Sequence, residues 1–297
     1  MTRLRPAVRA VVTWPPFNRV LTRTLRAVAP ARAQRHPSLA RFAPRVGLVE
    51  APLPDGRLLR MVSRGDDDIA SPVFWRGWAG HEPESAQVFY ELARDALVTF
   101  DIGAHVGYYA LLAAHANPAG RVFAFEPLPQ VHERLTANVA LNNASNITCV
   151  TCALGSPAGR AEFFHPRDGI PSSSSLSHRF MQTVVARSEL VTSTVDVVEG
   201  DDFVAAKEID RVDLIKLDTE TTEPAVIRGL LGTLQRDRTP IICEVLDDSV
   251  ARDLQELLDP LQYEYFLLTD AGPQQMKGIR SDPQWRNYLF KTDAARR

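Results

Sequence analysis

The residues of this chain best suited to chemistry are an aspartate, two glycines and a later glutamate. Asp101, Gly103 and Gly107 spell D-x-G-x-x-x-G within FDIGAHVGYY, and Glu126 follows 25 residues after Asp101, ahead of Pro127. Glycines in such a turn let backbone approach a ligand closely. The spacing is not the dinucleotide fingerprint G-x-G-x-x-G, because His105 holds the middle-glycine position. That glycine is what lets backbone meet a pyrophosphate. A carboxylate at Asp101 repels a pyrophosphate and favours an ammonium or sulfonium. Glu126, with Pro127 behind it, suits hydrogen bonds to two ribose hydroxyls. A phosphate-free adenosine with a cationic amino-acid part satisfies all three conditions, and S-adenosyl-L-methionine is that ligand. His105 is placed either to reach the cofactor or acceptor, or simply to fill a polar turn.

Proton handling would fall to acids further along. Asp218 ends VDLIKLD, Glu220 lies just beyond it, and Glu244 sits inside TPIICEVL. Asp218 and Glu220 read as a base and its partner. With Glu244 they would also make an oxygen set for a divalent metal, a reading the pattern permits but does not favour. The plainer alternative leaves Asp218 and Glu220 solvated, Glu223 capping a helix and Glu244 paired with Lys216. His178, after the serine patch PSSSSLSH, is a base that a lid would deliver, or a surface histidine. Ser172–Ser175 would hydrogen-bond a polyol or serve as a linker.

Positioning these groups requires alternating strands and helices. LVTFDI, RVFAFE, NITCVTCAL, VDLIKLD and TPIICEVL are apolar strands, separated by helical patterns such as PQVHERLTANVALN and SVARDLQELLDPL. Apolar strands joined by helices of about a dozen residues predict a parallel sheet covered on both faces. The segment 155–211 reads as irregular, and its serine patch suits a lid. Residues 46–75 read as a hairpin around PDG, and HEPESAQVFYELARDA as a helix. The boundaries are then an Arg-rich segment over 1–45, a hairpin-and-helix extension over 46–96, the α/β domain over 97–292 and a tail over 293–297.

The chain has 297 residues and a net charge of −2, which excludes an overall basic nucleic-acid binder. The charge is unevenly spread. Residues 1–49 hold ten Arg and no acid, leaving 24 basic against 36 acidic side chains beyond them. Such a head would touch anionic lipid, nucleic acid or the acidic body, or act only as a leader. With Trp14, Phe17, Leu21 and Leu25 it reads as a short amphipathic surface segment in peripheral contact with a membrane. No run of ~18 apolar residues predicts a spanning helix, and Pro15–Pro16 interrupt any secretory h-region. Three cysteines without a framework fit a reducing cytoplasm. Cys149 and Cys152 form a C-x-x-C on a strand-like segment, where i and i+3 face opposite sides. The sequence sets no oligomeric state.

FDIGAHVGYYALLAA, GRVFAFEPLPQVHERLTANVALNN, SSSSL, STVD, DLIKLDTETTEPAVIRG and PIICEV together resemble the FkbM family of S-adenosylmethionine-dependent methyltransferases, over roughly residues 80–292. The resemblance implies an α/β fold, the Rossmann-like seven-stranded class I methyltransferase sheet with helices on both faces, and methylation of hydroxyl oxygens on sugars, glycolipids or secondary metabolites. It matches Asp101, Gly103 and Gly107 to the cofactor loop, Glu126 to the ribose-binding acid, and Asn138 with Asn142 or Asn143 to asparagines in the following helix. His105 departs from the family's asparagine, and Thr221 from a glycine in the K-x-D-x-E-G-x-E motif. A β-branched residue at 221 resists φ > 0, so the turn is expected to differ there. The leading expectation is an O-methyltransferase with a small-molecule or glycosyl acceptor. The alternatives are a degenerate cofactor-binding module and, less favoured, an NAD-dependent oxidoreductase.

Overall fold

A computed structural model of the chain describes residues 11–29, 31, 36, 39, 42–66, 68–167, 174–184 and 189–293. The first ten residues of the Arg-rich head and Ser172–Ser173 of the serine patch lie outside the described residues. Helix α1 (Pro15–Val28) precedes an antiparallel hairpin of β1 (Val46–Pro52) and β2 (Leu58–Arg64). Helices α2 (Ala70–Arg76) and α3 (Pro83–Ala93) lead into the main sheet.

The chain then runs through β3 (Val98–Ile102), α4 (Tyr108–Ala116), β4 (Arg121–Phe125), α5 (Pro129–Leu141) and β5 (Ile147–Val150). After a smaller sheet it resumes with β9 (Leu214–Leu217), α8 (Glu223–Arg228), α9 (Leu231–Asp237), β10 (Ile241–Glu244) and α10 (Asp248–Leu258). It closes with β11 (Glu264–Thr269), β12 (Gly272–Met276) and β13 (Asn287–Lys291). The strand order is β12-β11-β13-β10-β9-β3-β4-β5. The five strands from β10 to β5 are parallel, and β13 enters antiparallel beside β10. The seven expected strands are present, and the turn after β11 adds an eighth, β12, along its free edge.

The order reverses between β3 and β9, so the carboxyl ends of these two strands flank the crevice where open α/β sheets take ligands. Apolar layers cover both faces, as strands buried on both sides require. Phe100, Phe125, Ile215 and Leu217 belong to one layer; Leu111, Leu135, Leu214 and Ile242 belong to the other. Phe203 meets Phe100, Phe123 and Phe125 edge-on at 4.9–5.8 Å, a favoured ring geometry.

The segment expected to be irregular is instead a second sheet. β6 (Ala153–Leu154), β7 (Gly159–Pro166) and β8 (Leu190–Val198) pair in the order β6-β8-β7, with α6 (His178–Val184) between β7 and β8 and α7 (Gly200–Ala206) after β8. Its burial is one-sided and its pattern polar, which hides a strand from a search for apolar runs. NITCVTCAL accordingly splits, giving β5 to the main sheet and β6 to the smaller one. Cys149 and Cys152 are free thiols. No helix among the described residues is long and apolar enough to cross a membrane.

Asn138 of α5 and Asn142 at its C-terminal cap both bind backbone. Asn138 accepts from the Val62 amide at 2.8 Å and donates to the Val106 carbonyl at 2.8 Å. Asn142 accepts from the Arg60 amide and donates to the Arg60 carbonyl. Together they fasten the hairpin to α5 and to the glycine turn.

Candidate active site

A cleft of about 510 Å³ opens at the carboxyl ends of β3, β4 and β9. Its floor is the turn after β3. Gly103 has φ +81°, and its amide and that of Ala104 both donate to the Phe125 carbonyl, at 3.1 and 2.9 Å. A Cβ at Gly103 would lie 1.8 Å from the Asp218 carbonyl oxygen, so glycine alone lets the ends of β3 and β9 approach. Gly107 has φ +89°, and a Cβ there would meet Leu135 Cδ1 at 2.5 Å. Between them His105 adopts φ +50° and lines the cleft.

Asp101 does not reach the cleft wall. Its Oδ2 accepts from the Ala110 amide at 2.7 Å, tying β3 to the first turn of α4. Burial pushes its carboxyl up to about 7, against the opposing pull of Lys216. Glu126 does line the cleft, beside Pro127. Its Oε1 accepts from the Leu128 amide at 2.9 Å and its Oε2 from the His105 amide at 3.1 Å. A carboxylate has about four lone-pair positions, so two remain for ligand hydroxyls. Burial pushes Glu126 up to about 7, while the two amides pull the other way.

The acid turn after β9 forms the facing wall. Asp218 and Glu220 both line the cleft. The turn was expected to avoid φ > 0 at Thr221, yet Glu220 has φ +55° and Thr221 φ +79°. Glu223 overrides the preference of the threonine. Its Oε1 accepts from the Thr219 amide at 2.9 Å, the Thr219 hydroxyl at 3.2 Å and the Thr221 amide at 3.2 Å. The Thr221 hydroxyl and the second Glu223 oxygen are buried with no hydrogen-bond partner among the described residues. Glu223 is therefore the organiser of this turn, and burial pushes it up to about 7.

A buried charge cluster supports the turn. Lys216 is fully buried, with Nζ 3.3 Å from Asp218 Oδ2 and 3.5 Å from Asn287 Oδ1. Its ammonium sits over the Tyr109 ring at 4.9 Å, and the Tyr109 hydroxyl donates to Glu82 at 2.7 Å. Burial alone would lower the Lys216 pKa; Asp218, Glu82 and Glu244 outweigh it and hold the pKa above its ordinary value. Glu244, which sequence reasoning offered to Lys216, lies instead 4.0 Å from Arg286 Nη1. Burial and the neighbouring Asp218 and Glu82 push its carboxyl well up.

His81 and Glu82 are among the cleft residues that the sequence left unmarked. Both precede Pro83 and pass for the start of a helix, yet α3 begins at Pro83 and Glu82 takes φ +43°. The signal was the H-E-P order itself, which puts two polar side chains before the helix rather than on its outer face. Burial lowers the His81 pKa, leaving its ring neutral at neutral pH.

The serine segment divides. Ser174, Leu176 and Phe180 line the cleft. Ser175 pairs with Phe164 by two backbone hydrogen bonds, and its hydroxyl donates to the Glu220 carbonyl at 2.6 Å. His178 departs from the expected delivery of a base. It is exposed, its ring tilted against the Phe164 ring at 4.7 Å and 3.2 Å from Gln182, and it does not line the cleft. One face of α6 carries Phe180 inward, which turns His178 outward. Among the described residues no group of three or more His, Cys, Asp or Glu is arranged to hold a metal.

The profile of the methyltransferase FkbM domain matches residues 101–280. The chain is 25% identical over 177 residues to the hexuronic acid methyltransferase AglP of Haloferax volcanii, covering 60% of this chain and 67% of that protein. It is 27% identical over 154 residues to the 31-O-demethyl-FK506 methyltransferase FkbM of Streptomyces tacrolimicus, covering 45% and 59%. Across the first four curated relatives the match spans 57–67% of the relative's own length. A crystal structure of methyltransferase FkbM from Methylobacillus flagellatus KT aligns with TM-score 0.42 and 17% identity, covering 66% of this chain and 44% of that one.

Proposed function

The chain belongs to the FkbM methyltransferase family, and from that premise we propose that it is an S-adenosylmethionine-dependent O-methyltransferase acting on a hydroxyl of a sugar, glycolipid or secondary-metabolite acceptor. One observation carries the reading. Among the described residues, six carboxyl groups (Asp68, Glu82, Glu126, Asp218, Glu220 and Glu244) and one guanidinium, Arg286, line the cleft, burial pushing two of the six, Glu126 and Glu244, upward. Such a wall favours a phosphate-free cation over a diphosphate nucleotide, which sets the NAD-dependent oxidoreductase aside. The residues also fit the cofactor by shape. The turn at Gly103 leaves no room for a side chain, and Glu126 keeps lone pairs for ribose hydroxyls.

Gly103, His105, Glu126 and Pro127 would hold the cofactor, with Asp101 and Gly107 fixing the turn from behind. Bound there, S-adenosylmethionine supplies a methyl group already activated by its sulfonium. The chain's remaining tasks are to orient the acceptor oxygen and to accept its proton. Asp218 and Glu220 are the carboxylate candidates for that proton, and neutral His81 is the imidazole candidate.

The acidic wall also sorts acceptors. The relatives' names include a hexuronic acid and 31-O-demethyl-FK506. A free carboxylate set beside the acids of this wall is disfavoured by like-charge repulsion, so a neutral polyol is the better acceptor. The test is calorimetry with S-adenosylmethionine, S-adenosylhomocysteine and NAD, then turnover on neutral glycosides and on a hexuronic acid. Binding of the first two ligands with methylation of a neutral hydroxyl is expected. Preference for NAD would overturn the reading. Binding without turnover on any acceptor would leave the degenerate module in its place.

A further inference from the structure

A helix on a globular protein ordinarily turns its apolar face to the core. Helix α1 divides that face: Leu25 packs partly buried against the core, the fully buried positions are the polar Asn18 and Thr22, each 0% exposed, and most of its other apolar residues stay outside. Asn18 donates to the Val12 and Pro44 carbonyls and accepts from the Val46 amide at 2.7 Å. The Thr22 hydroxyl accepts from Arg45 Nη1 at 2.8 Å. The outward face carries Phe17, Val20 and Val28, at 41%, 65% and 71% exposure, with Trp14 at 60% just ahead of the helix. Offsets of three and eight residues put Phe17, Val20 and Val28 on one stripe. Exposed Arg23 borders it beside Val20, and exposed Arg19, one turn earlier, lies further round the helix on the same side.

Electrostatics select the occupant. Residues 1–49 contain no acid, so these arginines have no counter-charge nearby in sequence. Burial lowers the pKa of Arg45, and repulsion from Arg23, Arg19 and Arg26 lowers it further, the mark of closely set cations. Arg45 and Arg26 rest on the Phe74 ring, at 5.0 and 4.8 Å. An apolar stripe bordered by arginines and headed by a tryptophan is the pattern that lies in a lipid interface. Nucleic acid would leave the stripe in water. A second copy would set two arginine rows face to face, because a two-fold interface pairs each patch with itself.

We infer that α1 docks the protein on an anionic membrane surface, with Trp14, Phe17, Val20 and Val28 entering the interface and Arg19 and Arg23 meeting lipid headgroups. Helix α2 carries Phe74 beneath this surface and begins one residue after Ile69, which lines the cleft. Seven residues of helix span about 10 Å, so docking brings one rim of the cleft close to the bilayer.

The test is co-sedimentation of the full chain with phosphatidylcholine vesicles, with and without phosphatidylserine. Binding only to the phosphatidylserine vesicles is expected, weakened by salt, with a blue shift of tryptophan emission that Trp14→Phe removes. Val20→Asp should abolish binding. Arg19→Glu with Arg23→Glu should weaken it by about 25-fold or more, while Arg19→Lys with Arg23→Lys retains it. All these positions are exposed, and unchanged circular dichroism checks the fold. Failure to bind anionic vesicles would overturn the inference, as would binding indifferent to Val20→Asp. So would a dimer that Val20→Asp dissociates, or tighter binding to duplex DNA than to vesicles.

Discussion

Gly103 and Asp218 stand so close that a methyl group on the first would fall 1.8 Å from the carbonyl oxygen of the second. The contact joins the end of β3 to the end of β9, the two strands that flank the cleft. Gly103→Ala meets both a positive φ and a backbone atom that cannot turn aside. It is expected to cost about 3 kcal/mol or more, seen as a lower urea midpoint, together with loss of S-adenosylmethionine binding by calorimetry. A variant as stable as the parent would contradict the close approach.

At Thr221 the opposite change is expected. A β-branched residue held at φ +79° carries strain that glycine would not. Thr221→Gly should raise stability by about 1 kcal/mol, read as a higher Tm. An unchanged or lower Tm would mean that the Thr221 methyl packs well enough to offset the strain.

Three buried carboxyls, Asp101, Glu126 and Glu223, are each pushed up to about 7 by burial. In the unfolded chain each titrates near its ordinary value of about 4. Between those values the folded state holds more protons, so stability falls as pH rises from about 4 through 7. The ligand-free protein should therefore melt at higher temperature at pH 6 than at pH 8. Glu126→Gln should flatten that slope and weaken cofactor affinity. A Tm that climbs over this range would refute the assignment.

Lys216 faces Asp218 and Glu82 from a fully buried position. Lys216→Met would take the buried ammonium from both, a loss of roughly 3–5 kcal/mol for a buried site. Adding Glu82→Gln should recover part of it. Chemical denaturation of the four species in a double-mutant cycle measures the coupling, and strict additivity would rule the cluster out as a unit.

Because burial keeps His81 neutral, its use as proton acceptor would place the acid limb of the kcat/KM profile below the ordinary imidazole pKa of about 6.5. His81→Gln should remove that limb while leaving cofactor affinity intact. A profile that keeps its limb would pass the role to Asp218 or Glu220.

Legibility in the sequence followed the strength of the local pattern. Strands buried on both faces, such as VTFDI and LIKL, advertise themselves as apolar runs, and the glycine turn is set by the two positive-φ positions it contains. The smaller sheet was illegible because LVTSTVDVV fully buries only Val195 and Val197, and so shows no apolar run. Glu126 was readable from its place at a strand end. Asp101 read as a cofactor residue, whereas its carboxylate turns to the Ala110 amide, a contact nine residues on that the motif does not show. Glu82 was hidden because its importance arises from Lys216, more than 130 positions away in the chain, and no local window carries that.

Ser175 links two parts of the protein through its hydroxyl on the Glu220 carbonyl and its backbone ladder with Phe164. An acceptor bulky enough to displace this serine would also release the Glu220 carbonyl. Admission of the acceptor and the setting of the acids would then be a single equilibrium. Amide deuterium uptake at Ser175 and at Ser177, whose amide donates to that same hydroxyl oxygen at 2.9 Å, would rise together when such a molecule binds.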